Sequence, residues 1–205
     1  MKLIIVTAPE NKPEDAQHIQ ELFNAGLESL HLRKPDQEKN DFENILKQLP
    51  PSLYKRIVIH SHYKLIEKYN LKGIHLTEWF IREAGLQEVK ELIAIAKQRR
   101  LSVSGSFHSI EDLENLQLKL DYVFLGPVFD SISKEGYKSK ISMSNAAAFL
   151  QKRKRLEIFA IGGISNDNIK SLKTAGFDGA ALLGSIWSDG DPSSNFKNIQ
   201  KQITA

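Results

Sequence analysis

Eight short runs rich in β-branched residues recur along the chain, and stretches with helical spacing separate them. The runs are Leu3–Thr7, Glu28–Arg33, Arg56–His62, Gly73–Thr77, Leu101–Phe107, Tyr122–Phe129, Ile158–Ile164 and Gly179–Ile186. Between them, Asp15–Ala25 sets Ile19, Leu22 and Phe23 on one helical face, and Leu86–Arg100 does the same with Val89, Leu92, Ile93 and Ala96. Ser165 stands as a cap before a helix over Asn166–Ala175, and Gly176 follows it. Strands separated by helices pair in parallel, because a parallel connection needs a crossover. Eight such units in 205 residues, roughly 25 residues each, match the count of a closed (β/α)₈ barrel at the compact end of its range. A doubly wound open sheet is the competing architecture, and the count of eight favours the barrel. The expectation is an α/β fold with one barrel domain over residues 1–205. Pro50-Pro51 reads as a tight connection inside that domain, not as a linker.

Composition removes several function classes. With no cysteine there is no disulfide scaffold, thiolate metal site or cysteine nucleophile. Apolar residues make up 41% and charged residues 26%, which excludes a disordered chain. No run approaches the roughly 20 apolar residues of a membrane span, and the opening Met1–Val6 is too short for a signal peptide. A cytoplasmic location is expected. The formal charge of +3 gives no reason to invoke nucleic acid. Lys152–Arg155 reads as a solvated helix end that complements the helix dipole.

In a barrel the chemistry is built at the carboxyl ends of the strands, and alternation assigns the faces. Leu30 and Leu32 oppose His31 and Arg33; Ile57 and Ile59 oppose His60 and His62; Ile74 and Leu76 oppose His75 and Thr77. In the fifth run Val103 opposes Ser102, Ser104 and Ser106, with His108 just beyond. Five of six histidines thus lie in or just after the second to fifth runs, with parity that turns them toward one interior. A single strand histidine is usually a hydrogen-bonded core residue; the clustering points to a polar pocket. Inward histidines can ligate a transition metal, but no spacing here is diagnostic, and no bound metal is expected.

The remaining strands end differently. Ile161-Gly162-Gly163-Ile164 closes the seventh run and Gly184-Ser185-Ile186 the eighth. Glycines let backbone N–H groups approach an anion, and these two loops are where barrels commonly hold a substrate phosphate. Gly-Gly alone serves a tight turn equally well; a second such loop after the next strand favours phosphate. Gly126-Pro127 ends the sixth run. Ser131, Ser133 and Lys134 follow within an irregular stretch, residues 131–142, which reads as a solvated loop or a lid over the mouth. Glu78 is the only carboxylate immediately after the third or fourth run, so a pair poised to hold Mg²⁺ is not visible.

Taken in order, Leu30-His31-Leu32-Arg33, Gly73-Ile74-His75-Leu76, Ser106-Phe107-His108-Ser109, Gly126-Pro127-Val128-Phe129, Ala160–Ile164 and Gly184-Ser185-Ile186 resemble the family of thiamine phosphate synthases and TenI-type thiazole tautomerases. The resemblance runs the full length and implies a (β/α)₈ barrel. It implies a phosphate cradle at Gly162, Gly163, Gly184 and Ser185. Ser131 and Ser133 stand where the family has threonines, with the matching Lys134 after them. Its pyrimidine-diphosphate half is eroded. A synthase has Gln-x-Arg-x-Lys where this chain has His31-Leu32-Arg33-Lys34-Pro35, so the lysine falls one place early. The synthase's Asn-Asp pair aligns with His60-Ser61, and its second magnesium aspartate aligns near Phe80.

Losing both metal carboxylates should cost several kcal/mol of transition-state stabilisation in a synthase. A tautomerase needs only a phosphate cradle and a general acid–base. The resemblance therefore implies first a TenI-like tautomerase that isomerises a phosphorylated carboxythiazole. His108 would shuttle the proton, Arg33 with His31 or His60 would hold the carboxylate, and Lys34 and Ser106 would complete the substrate contacts. A divergent synthase joining hydroxymethylpyrimidine diphosphate to thiazole phosphate is the alternative, and only that reading calls for Mg²⁺. A non-catalytic barrel that binds a thiazole or thiamine phosphate is the third. The expected partner is a phosphorylated thiazole, with no nucleic acid or membrane, and the family resemblance is compatible with a homodimer.

Overall fold

The computed structural model of the chain describes residues 1–130, 139, 141–152 and 156–204. Eight parallel strands close into a barrel in sequence order: β1 (Lys2–Val6), β2 (Ser29–Leu32), β3 (Ile57–Ile59), β4 (Gly73–Leu76), β5 (Ser102–Phe107), β6 (Tyr122–Leu125), β7 (Glu157–Ile161) and β8 (Gly179–Leu182), with β8 returning to β1. The helices outside are α1 (Asp15–Asn24), α2 (Lys39–Gln48), α3 (Glu78–Gln98), α4 (Ile110–Glu114), α5 (Met143–Lys152), α6 (Ile169–Ala175), α7 (Gly184–Trp187) and α8 (Pro192–Thr204). The expected barrel is the fold observed, and the open sheet is excluded by the β1–β8 pairing.

Strand alternation sorts the apolar residues into two separate clusters. The larger lies between strands and helices and holds Leu30, Leu32, Ile57, Ile59, Ile74, Leu76 and Val103 with Ile19, Leu22 and Val89. The smaller lies inside the barrel: Ile4, Val6, Tyr122, Phe124, Phe159 and Ala181. These interior residues come from β1, β6, β7 and β8. From β2 to β5 the inward side is mainly polar, with His31, His75 and Ser104 on the strands and His60 just past β3 all buried, and Val58 of β3 the apolar exception. One half of the barrel lumen is therefore filled with hydrocarbon and the other mainly with hydrogen-bonding groups.

Several elements differ from the sequence expectation, each for a local reason. The third strand stops at Ile59, because the chain turns at His62 into a left-handed conformation (φ 52°) and then a 3₁₀ turn over Tyr63–Glu67. Alternation does not reach His62, whose Nε2 donates to the Gln37 carbonyl at 3.0 Å while its ring packs edge-on against Phe42. That 3₁₀ turn is the whole β3–β4 crossover; no α-helix forms there. The sixth, seventh and eighth strands are each shorter than their apolar runs. Helix α3 begins at Glu78, with Thr77 Oγ1 accepting from Phe80 N, and is broken at Gly85 (φ 76°). Helix α6 begins three residues later than expected, because Asn168 Oδ1 folds back to accept from Ser165 N. Pro51 opens a 3₁₀ turn to Arg56, the tight connection foreseen for Pro50-Pro51. Residues 131–138, 140, 153–155 and 205 lie outside the described residues, including Ser131, Ser133, Lys134 and most of the basic run.

Lys34 fixes the loop after β2. Its ammonium donates to Asp15 Oδ2 at 2.6 Å and to the Glu10 carbonyl, and its side chain is 0% exposed. An ion pair so buried is sustained by mutual compensation, and deleting one partner strands the other charge. Lys34→Ala is expected to lower unfolding free energy by about 3–5 kcal/mol in chemical denaturation. Loss of less than roughly 1 kcal/mol would mean the pair is not holding the loop.

Candidate active site

At the carboxyl ends of the strands opens a cavity of about 510 Å³, a size usual for small-molecule sites. Gly162, Gly163 and Gly184 form one wall, Arg33 and His60 another, and Thr77, Glu78, Trp79, Ser106 and His108 part of the rim; Phe124 and Val6 are also in its lining.

The glycine wall depends on positive φ at Gly162 (95°) and Gly163 (64°). A Cβ on Gly162 would stand 2.6 Å from Pro127 Cβ, and one on Gly163 only 2.2 Å from the Asp130 carbonyl oxygen. Only glycine permits both the conformation and the approach of the loop after β7 to the chain after β6. Ser185 sits just behind, its Oγ buried and without a hydrogen-bond partner among the described residues; it does not line the cavity.

On the other named wall, burial pulls the Arg33 guanidinium below its ordinary pKa, with Asp36 opposing the shift. It stays cationic, since arginine does not deprotonate in proteins. Thr7 Oγ1 holds its backbone, donating to the Arg33 carbonyl and accepting from its N–H, both at 2.9 Å.

Beneath this wall lies a network of imidazoles. His31 Nδ1 and His60 Nε2 share a hydrogen bond of 2.8 Å, and His31 Nε2 meets the Tyr122 hydroxyl at 2.8 Å. His75 bridges Ser104 Oγ at 2.8 Å and Ser106 Oγ at 2.7 Å. The His60 and His75 rings stack with centroids 4.1 Å apart, and Phe124 packs on both His31 and His75. Burial, then His75, drives the His31 and His60 pKa well below the usual value; burial, then Arg33, lowers His75 to about 3. All three rings are neutral at physiological pH.

His108 is placed differently. Its Nδ1 donates to the Gly126 carbonyl at 2.7 Å, and its Nε2 faces Glu78 Oε2 at 3.2 Å. Because a carbonyl can only accept, Nδ1 carries a proton, and Nε2 is the ring nitrogen turned toward Glu78 at the rim. Both side chains are half-exposed, open to a ligand in the cavity.

Of the residues singled out in the sequence, Arg33, His60, Ser106, His108, Gly162, Gly163 and Gly184 come together around this cavity. His31 lies beneath it and does not line it. Lys34 does not reach it, because its ammonium is spent on Asp15, and His62 turns away. Ser131, Ser133 and Lys134 fall outside the described residues. Sequence reasoning missed Tyr122, although its alternation with Val123 already turned it inward. It also missed the pairing of Glu78 with His108, which joins the first turn of α3 to the loop after β5 and leaves no pattern in the chain.

A family model described as thiamine monophosphate synthase matches residues 3–186. The chain belongs to the thiamine monophosphate synthase family. A thiamine-phosphate synthase of Latilactobacillus sakei is 35% identical over 153 residues, covering 74% of this chain and 65% of that protein. One from Prochlorococcus marinus is 28% identical across 91% of this chain, which spans only 48% of that relative's length. In three dimensions, a thiamine phosphate pyrophosphorylase from Bacteroides thetaiotaomicron superposes with a TM-score of 0.79 at 32% identity, covering 100% of this chain and 98% of that one.

The family's magnesium does not fit the residues present. Among the described residues lining the cavity Glu78 is the one carboxylate, and it is engaged with His108. A hard cation needs several oxygen donors, whereas His60 and Ser61 follow β3 and Trp79 and Phe80 follow Glu78.

The buried imidazoles make a pH prediction. Their pKa is depressed in the folded state, so the unfolded chain binds more protons once the pH falls below about 6.5. Their contribution to stability is complete above that pH and is lost on acidification toward the folded values. Between about pH 6.5 and pH 5 the unfolding free energy should fall by up to roughly 1 kcal/mol per pH unit for each ring. His75→Gln should flatten the slope; an unchanged slope would mean His75 is not a neutral buried ring.

Proposed function

We propose that the chain acts in thiamine biosynthesis as a transferase of its family, joining hydroxymethylpyrimidine diphosphate to thiazole phosphate and releasing diphosphate. The observation that carries this reading is the pair of anion-receptive walls in one cavity. The glycine wall suits the thiazole phosphate, and Arg33 elsewhere in the lining suits the diphosphate. Full-length likeness to the thiamine phosphate pyrophosphorylase of B. thetaiotaomicron supports it. In this reaction the carbon–oxygen bond to diphosphate breaks as the thiazole nitrogen bonds to that carbon. Arg33 is the cation placed to hold the developing charge, and a fixed donor of this kind is worth about 10²–10³ in rate.

The second reading is the TenI-like tautomerase, favoured by the His108–Glu78 pair. A phosphorylated carboxythiazole would sit against the glycine wall, His108 would move the proton, and Arg33 with His60 would hold the carboxylate. Ser106 would complete the rim on His60's side.

The test is to supply both substrates, with and without Mg²⁺, and measure diphosphate and thiamine phosphate. Production of both, with a fall of about 10²–10³ in Arg33→Ala, is the outcome expected. Isomerisation of the carboxythiazole without coupling selects the tautomerase, and His108→Ala should then lose about 10²–10⁴ in rate while still binding thiazole phosphate. Binding of thiazole phosphate with neither reaction overturns both in favour of a non-catalytic carrier.

A further inference from the structure

We propose that His31, His60 and His75 form a binding site for one borderline-soft divalent transition-metal ion of the Zn²⁺ type. The inference is independent of which reaction the cavity supports. It departs from the sequence expectation that no metal is bound.

The three rings stand at adjacent strands, on β2, just past the end of β3 and on β4, and each offers a nitrogen within 4.8 Å of the other two. Three imidazoles with an open fourth position are a recurrent zinc donor set, and nitrogen donors select this class of metal over Mg²⁺. The rings are buried and neutral, so ligation requires no deprotonation of an imidazolium. Tetrahedral ligation with Zn–N of about 2.0–2.1 Å sets nitrogens roughly 3.3 Å apart. The 2.8 Å separation of His31 Nδ1 and His60 Nε2 must open by about half an ångström, the metal replacing the proton they share. The widest gap must close by no more than roughly 1.5 Å, and the stacked His60 and His75 rings must turn so that their in-plane lone pairs converge.

The surroundings are those of ligating histidines, which commonly pass their second nitrogen to a hydrogen-bond partner that orients the ring. Tyr122 is placed to take that bond from His31, and Ser104 or Ser106 from His75. Burial pushes the Tyr122 hydroxyl up, so it remains a neutral partner. Phe124 walls the rings from the apolar half of the lumen. His60 also lines the cavity, which provides an entry path and leaves the fourth position facing the ligand space. With Arg33 close by and no carboxylate among the three donors, charge balance selects an anionic fourth ligand: hydroxide, or a phosphate or carboxylate oxygen.

The test is equilibrium dialysis of the full chain against buffered Zn²⁺, with metal counted per chain, and Co²⁺ substitution read by visible absorption. One equivalent and the intense spectrum of tetrahedral Co²⁺ are expected. His60→Asn and His75→Asn should lose that equivalent, whereas His18→Asn should keep it. Tyr122→Phe keeps all three ligands and should weaken binding by about 10–100-fold. No uptake by the wild-type protein, or uptake that persists in both His60→Asn and His75→Asn, overturns the site. Should those variants fail to fold, the wild-type Co²⁺ spectrum decides: a weak octahedral spectrum refutes the three-imidazole site.

Discussion

A 2.8 Å hydrogen bond between two neutral imidazoles, His31 Nδ1 to His60 Nε2, anchors the polar half of this barrel. A (β/α)₈ lumen must be filled, since it is a packed core and not a pore. Here β6 to β1 fill their side with Phe124, Phe159, Ile4 and Val6, while β2 to β5 and the turn after β3 fill theirs mainly with imidazole and hydroxyl, Val58 apart. A buried polar group is tolerated only when its hydrogen bonds are met. Tyr122, Ser104 and Ser106 meet them, each reaching in from another strand. Everything above that layer depends on it: His60 stands at the top of the network and is itself part of the cavity wall, and Ser106 belongs to both.

The two chemical resources at the mouth have different origins. The glycine wall is a backbone device. Gly163 is held where a side chain would strike the Asp130 carbonyl, so the same residue that permits close loop packing leaves a backbone surface open to an anion. The His108–Glu78 pair is a side-chain device, assembled from the loop after β5 and the first turn of α3. Its Nδ1 is fixed by a carbonyl, which leaves Nε2 as the ring nitrogen turned toward Glu78 and the cavity. In the proposed reactions the first device would recognise charge and the second would move a proton. A coupling reaction draws mainly on the former together with Arg33, and a tautomerisation on the latter.

Barrel topology was legible in the sequence because parallel strands and crossovers leave a repeating pattern, and the alternation in Leu30–Arg33 and Gly73–Thr77 assigned faces correctly. It failed at His62 because parity holds only while the chain stays extended, and the chain turns left-handed at that residue. Lys34 misled for another reason. One place removed from the family's lysine, it looked available to a substrate, yet Asp15, at the far end of the preceding crossover, captures it. A contact so distant in sequence has no local signature. The pairing of Glu78 with His108 is unreadable on the same ground, whereas Tyr122 was within reach of the alternation rule.

The site also sharpens what the loss of the family's carboxylates means. By the resemblance, His60 with Ser61 after β3, and Phe80 in α3 packed edge-on against Tyr63, stand where a synthase carries its metal carboxylates. His60 stands as a third imidazole beside His31 and His75 in a buried layer, and the proposed site there suits a softer ion than magnesium. Hardness is decided by the donor atom, not by the fold. The same strand ends that would serve a hard cation when they carry aspartate become, with histidine, a site matched to a softer one.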